Sequence, residues 1–159
     1  MSYVILLPAI LTALLLSACA PATVTRLDGN VNDAMAAKAI RAIAPWVTLP
    51  HRGGNLHAAR QIVAAIDASG RCVLVDGPVV SATVYIARRV QCVHVTDPNA
   101  AWFGLHNGST DGIIDAAGSL QLFIDMRAGG CWSWYQRQPE AAVNGIVYVS
   151  WNKLERGCR

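Results

Sequence analysis

From residue 24 onward, short continuous apolar runs alternate with longer stretches whose apolar residues recur at helical spacing. Residues 24–27 fit a short strand, and Asp28-Gly29-Asn30 turns the chain out of it. A helix is predicted from Asp33, read as its cap, to about Ala44. Ala36, Ala39, Ile40 and Ile43 share one face of it, and Pro45 is its stop. A second strand over 46–49 runs into the glycine turn His51-Arg52-Gly53-Gly54. Asn55 then caps a second helix to Ser69, with Ala59, Ile62, Val63 and Ile66 on its buried face and Gly70 as its end.

The alternation continues to the C-terminus. Residues 72–75 form a strand, 82–90 a helix, and 91–96 another strand; Asp97-Pro98-Asn99 is a turn before a short strand at 102–105. Helical spacing returns from Asp111 to Arg127 through Ile113, Ile114, Ala117, Leu120 and Ile124, and stops at Gly129-Gly130. A short helix over 138–144, a strand over 145–149 and a last turn capped by Ser150 complete the pattern. Strands alternating with helices imply βαβ units, hence an α/β fold with a mainly parallel sheet. Strands this short and continuously apolar suit a sheet covered on both faces.

The stretch from Asp76 to Arg89 stands out within this pattern. A β-branched run leads through Gly77-Pro78 to Ser81, and a helix-compatible segment follows at once. Strand, tight turn, serine and helix together expose a hydroxyl where unpaired helix N–H groups favour a developing oxyanion. Taken alone, the same residues favour a serine N-cap over a nucleophile.

Composition narrows the class. The 159 residues, 53% of them hydrophobic, suffice for one core. A net charge of +3, scattered along the chain, argues against a nucleic-acid partner. No metal or other cofactor is expected.

Residues 1–18 differ in character. Residues 4–16 are almost wholly apolar, contain Pro8, and are too short for a comfortable membrane span. They read as the hydrophobic region of an export signal, with an uncleaved N-terminal anchor as the alternative. The run ends in Leu16-Ser17-Ala18-Cys19, which resembles the lipobox of bacterial lipoproteins. That resemblance implies lipidation of Cys19 as the first mature residue, a tether over 19–23 and a folded domain over 24–159. Ala20 is not the aspartate that retains such proteins at the inner membrane, so the expected location is the outer membrane, facing the periplasm.

Cysteine usage agrees with export. Without Cys19, four cysteines remain, and none has the CxxC spacing of a zinc site. Cys72 and Cys92 each enter a strand at its N-terminal end, and those strands flank the Ser81 helix. Neighbouring strands in register would bring the two Cα atoms into the range of about 4.4–6.8 Å that a disulfide needs. Cys131 and Cys158 are left as the second pair, beside the aromatic cluster Trp132, Trp134, Tyr135 and Trp151.

The ordered motifs resemble the proteolytic subunit of the Clp protease and its relatives in the crotonase-like superfamily. The likeness runs from about Val24 to Gly157. Leu27-Asp28-Gly29-Asn30-Val31 looks like the opening strand and turn, Gly53-Gly54 like the family's glycine pair, and Ser81-Ala82 like the start of its buried helix. Pro98-Asn99 and Gly104-Leu105-His106 look like the segment that brings in the histidine; Ser150 to Gly157 resembles the closing helix.

The resemblance implies a superhelix of ββα units and a serine peptidase site acting on polypeptides. Ser81 would be the nucleophile and His106 its general base. The N–H groups of Gly53 and Ala82 would form the oxyanion hole, and Gly54 would contact substrate. The family's acid would fall at 144–146, where no carboxylate stands. Asn144 is therefore expected to orient the imidazole, with Asp125 and Asp115 as alternatives. Homo-oligomers are usual in the family, but the span after His106 is shorter than the family's long handle helix needs. A catalytically inactive binding or assembly module is the competing reading; a third leaves the serine–helix motif purely structural.

Overall fold

Four parallel strands form the principal sheet of the computed structural model, which describes residues 23–110 and 113–159. In chain order they are β1 (Val24–Arg26), β2 (Trp46–Thr48), β3 (Cys72–Val75) and, after an excursion, β5 (Val93–Val95), lying side by side as β1-β2-β3-β5. Helices α1 (Asp33–Arg41) and α2 (Leu56–Ala68) make the first two crossovers. The protein is thus α/β with a mainly parallel principal sheet. The leader over 1–18, Cys19 and nearly all of the tether lie outside the described residues.

Between β3 and β5 the chain leaves the sheet to build the region that matters for chemistry. Strand β4 (Val79–Val80) and helix α3 (Ala82–Arg89) belong to this excursion. β4 pairs in parallel with β6 (Phe103–Leu105), which pairs antiparallel with β9 (Val147–Val149). This second sheet of three strands was not expected, because the two residues of β4 look like part of the Gly-Pro turn. Helix α3 packs against α2, β4 and β6, and every residue from Ala82 to Ala87 is buried.

Both expected disulfides are present. Cys72 and Cys92 have Cα atoms 4.6 Å apart at the start of the β3–β5 pair, where the Val73 N–H donates to the Cys92 carbonyl. Cys131 and Cys158 have Cα atoms 4.8 Å apart. The second pair ties the chain end to an aromatic layer: Phe123 meets Trp132 at 5.1 Å and Tyr135 at 5.4 Å between ring centroids. Trp151 sits on Phe103 and under the Arg88 guanidinium. Arg88 also pairs with Glu155 and donates to the Arg127 carbonyl, fastening the end of α3 to this layer.

Three elements differ from expectation. Helix α1 is capped by Asn32, whose side chain accepts from the Met35 N–H, and it ends at Arg41. The reason is Arg71, a buried guanidinium that donates to the carbonyls of Ala39, Ala42 and Ala65 and so satisfies the helix end early. Ile40, within α1 on its exposed side, is 62% exposed and Ile43, beyond its end, 98%, while Met35, Ala36 and Ala39 carry the packing against α2.

The helix expected from Asp111 is shorter. It begins at Ala116 and runs to Asp125 as α4, capped by Asp115, whose side chain accepts from the Gly118 N–H. Ahead of it β7 (Ser109–Thr110) pairs with β8 (Ile113–Ile114) as an antiparallel hairpin. Finally, the segment after Gly129 is broken into a 3-10 turn (Gly129–Cys131), the short helix α5 (Trp132–Tyr135) and a second 3-10 turn (Pro139–Val143). Helix α6 (Trp151–Glu155) closes the chain, with the Ser150 side chain accepting from the Lys153 N–H.

Candidate active site

Ser81 is not a helix cap. A capping serine adopts an extended backbone and accepts from an N–H one turn into the helix. Ser81 has φ 57° and ψ −121°, and its side chain makes no capping bond. A non-glycine residue in that region is strained, by about 1–3 kcal/mol, and persists only where its surroundings hold it. Here they do. The Ser81 N–H donates to the Gly104 carbonyl at 3.3 Å, and the Ser81 carbonyl accepts from the Tyr85 N–H at 3.1 Å. Thr83 instead ties the first turn of the helix back to β4: its hydroxyl accepts from the Val80 N–H at 2.8 Å and donates to the Val80 carbonyl at 2.6 Å. Strain of this kind at a strand-to-helix turn is how a hydroxyl is pushed out of the backbone's shadow.

Opposite Ser81 lies the glycine pair. A Cβ on Gly53 would stand 2.5 Å from the Ser81 Cβ and 3.1 Å from its Oγ, so only glycine lets the two segments close. Gly54, at φ +151°, would place a Cβ 2.3 Å from the Val31 carbonyl oxygen. The segment is held by Val31, whose N–H donates to the Gly53 carbonyl and whose carbonyl accepts from the Asn55 N–H. Among the described residues, the N–H groups of Gly53, Gly54 and Ala82 make no hydrogen bond.

A cleft of about 540 Å³ opens at this point. Its wall includes Gly54, Ser81, Ala82 and His106, brought together from three parts of the chain, with Leu56 and Leu122 as apolar lining. Gly53 lies behind Ser81 and does not line it. His57, which first-turn position alone would place on the surface, is exposed but part of the wall; its ring bonds Gln61 at 3.1 Å.

His106 enters at the end of β6 and is half-buried. Its Nδ1 lies 2.6 Å from the carbonyl oxygen of the next residue, Asn107. Among the described residues, no hydrogen bond joins the ring to Ser81, Asn144 or a carboxylate. Asn144 instead ends the second 3-10 turn in a left-handed conformation, and its side-chain oxygen is buried without a partner. Asp125 pairs with Arg60 at 2.9 Å and accepts from Gln121. Asp115 lines the cleft, but its carboxylate caps α4. His51 is turned the other way: its Nδ1 lies 2.5 Å from the Pro78 carbonyl, and its ring packs over Gly77. His94 is exposed on the sheet beside Trp46.

Chemically, the cleft combines a strained, uncommitted hydroxyl, an imidazole and main-chain donors at a helix start. Those are the parts that acyl transfer uses. No protein-family model matches the chain, and no curated protein matches it.

Proposed function

We propose that the protein is a lipid-anchored serine peptidase of the Clp-like, crotonase-fold type, hydrolysing polypeptides at the periplasmic face of the outer membrane. The observation that carries this reading is Ser81, held at φ 57° without a capping bond beside His106 and the free N–H of Ala82. A structural serine has no use for that strain. The Ser81 oxygen attacks the scissile carbonyl while His106 removes its proton; the imidazolium then protonates the leaving amine, and water releases the acyl group by the same route. The oxyanion forms between the N–H groups of Ala82 and Gly54. Gly54 lines the cleft, and Gly53 makes room for Ser81, so the two divide the role first assigned to Gly53. Catalytic hydrogen bonds often tighten only when substrate fills the site, and the Ser81–His106 pair is of that kind. Repeated strand–strand–helix units in a superhelix belong to the same proposal.

A fluorophosphonate probe tests it. Ser81 should label, and Ser81→Ala and His106→Ala should each abolish labelling in a folded protein. Their combination should be no worse than either, since nucleophile and base act as one unit. A folded wild-type protein that neither labels nor turns over any peptide or ester would leave the competing reading, a binding module whose groove is shaped by Gly53, Gly54 and Ser81. Among the described residues no carboxylate bonds His106, which favours that alternative.

A further inference from the structure

The geometry points to the Asn107–Gly108 peptide as the group that orients His106 in place of a carboxylate, with Ser119 and the Asn107 side chain as its positioning residues. This rests on the Ser81–His106 reading above.

A carbonyl oxygen only accepts, so the 2.6 Å contact with Asn107 makes Nδ1 the donor and leaves the ring's lone pair on Nε2. That is the tautomer a general base needs. The bond is worth something only if the carbonyl cannot turn away. Its own peptide plane is held at the other end: the Gly108 N–H donates to the Ser119 hydroxyl at 2.9 Å. Ser119 is fully buried on α4, and its proton goes to the Asp115 carbonyl at 2.5 Å, ahead of the Gly108 carbonyl at 3.3 Å. The result is a chain of donors running one way, from His106 Nδ1–H through the peptide and the hydroxyl to a helix-start carbonyl. Such chains polarise each link and strengthen it.

The Asn107 side chain supplies a second hold. It is 4% exposed, donates to the Ala141 carbonyl at 3.0 Å and accepts from Gln136 at 3.4 Å. The Asp115 N–H donates to the Gly108 carbonyl at 3.1 Å, so the residue after the peptide is fixed as well. In the reaction the Nδ1 proton stays on the ring and remains shared with the Asn107 oxygen. Only Nε2 changes state, taking the Ser81 proton and passing it to the leaving group. The amide carries no charge with which to balance the imidazolium. It sets direction and tautomer, the part of a triad acid's role that survives without ionisation.

Two-bond proton–nitrogen NMR of the full-length, nitrogen-15-labelled protein tests this, above the pH at which the histidines are charged. The His106 signals are identified by their loss in His106→Gln. The expected spectrum shows a protonated Nδ1 and a lone pair on Nε2; a protonated Nε2 in the wild type overturns the inference. Ser119→Ala should mix the tautomers and slow fluorophosphonate labelling about tenfold, the worth of roughly one hydrogen bond. Ser119→Cys, nearly isosteric with a weaker donor, should fall between. An Ser119→Ala protein that is folded with the wild-type tautomer removes Ser119 from the role. Asp115→Asn should keep the tautomer; if it is lost, the Asp115 carboxylate is the orienting group instead. The expected tautomer beside a Ser81 that never labels would keep the clamp and remove the hydrolase.

Discussion

The Cβ position of Gly53 and the Cβ of Ser81 are 2.5 Å apart, closer than two carbon atoms can approach without bonding. The glycine turn after β2 and the start of α3 therefore fit only while residue 53 has no side chain. Gly53→Ala should push Ser81 from its position, costing about 1–3 kcal/mol of stability as overpacking does. It should also suppress fluorophosphonate labelling. Thermal unfolding and labelling rate together check this; wild-type values for both would mean that the segment shifts freely.

The strained backbone of Ser81 makes a second prediction, with a sign that separates two roles. Glycine adopts positive φ without penalty, so Ser81→Gly should stabilise the protein by about 1 kcal/mol while destroying the site. Replacing a capping serine lowers stability instead. A fall in the melting temperature of Ser81→Gly would restore the capping role.

Tyr135 predicts a pH dependence. Its ring is fully buried, and its hydroxyl donates to the Gly145 carbonyl at 3.0 Å. Burial pushes the phenol above its ordinary value, against the nearby Asn107 N–H, which favours the phenolate. The unfolded chain then loses this proton near pH 10, before the folded chain does. Stability from Tyr135 is fully present below about pH 10 and is lost as pH rises through the folded value. Tyr135→Phe should be less stable at neutral pH by about 1 kcal/mol for the lost hydrogen bond. Urea melts across pH 8 to 11 should show that deficit shrinking; a deficit growing with pH contradicts the assignment.

The proposed anchor rests on Cys19. Cys19→Ser should move the protein from the membrane to the soluble fraction of exporting cells and leave the leader attached. Membrane fractionation and the mass of the N-terminal peptide are the measurements. An unchanged distribution and mass would remove the lipid.

The parts of the molecule that were legible in the sequence are those set by local chemistry. Asn55 and Ser150 cap their helices because their side chains reach N–H groups two or three residues away. Cys72 and Cys92 pair because both sit at the same end of neighbouring strands, where register alone decides the distance. What was hidden depends on distant partners. Ile43 continues the spacing of a buried face, yet Arg71, about thirty residues on, binds the carbonyls where α1 ends before it, and Ile40 lies within α1 on its exposed side. Ile113 and Ile114 fit a helix and pair as a strand instead. In the candidate site, Ser81 stood out by its strand–turn–helix setting and His106 by the family resemblance, and the structure places both on one cleft. The group on Nδ1 was out of reach, because it is a main-chain oxygen, and every residue carries one.

Helix α3 is buried along six consecutive residues, Ala82 to Ala87, with no polar face to offer water. Such a helix has little reason to form alone, since eight residues are too few to hold themselves in solution. It becomes stable only when α2 and the second sheet close around it. The same packing that stabilises α3 therefore also builds the turn that strains Ser81. A chain still unfolded, in transit or partly degraded carries the serine as an ordinary, unreactive hydroxyl. For the proposed exported peptidase, this dependence of the nucleophile on the finished fold is a safeguard that needs no inhibitor.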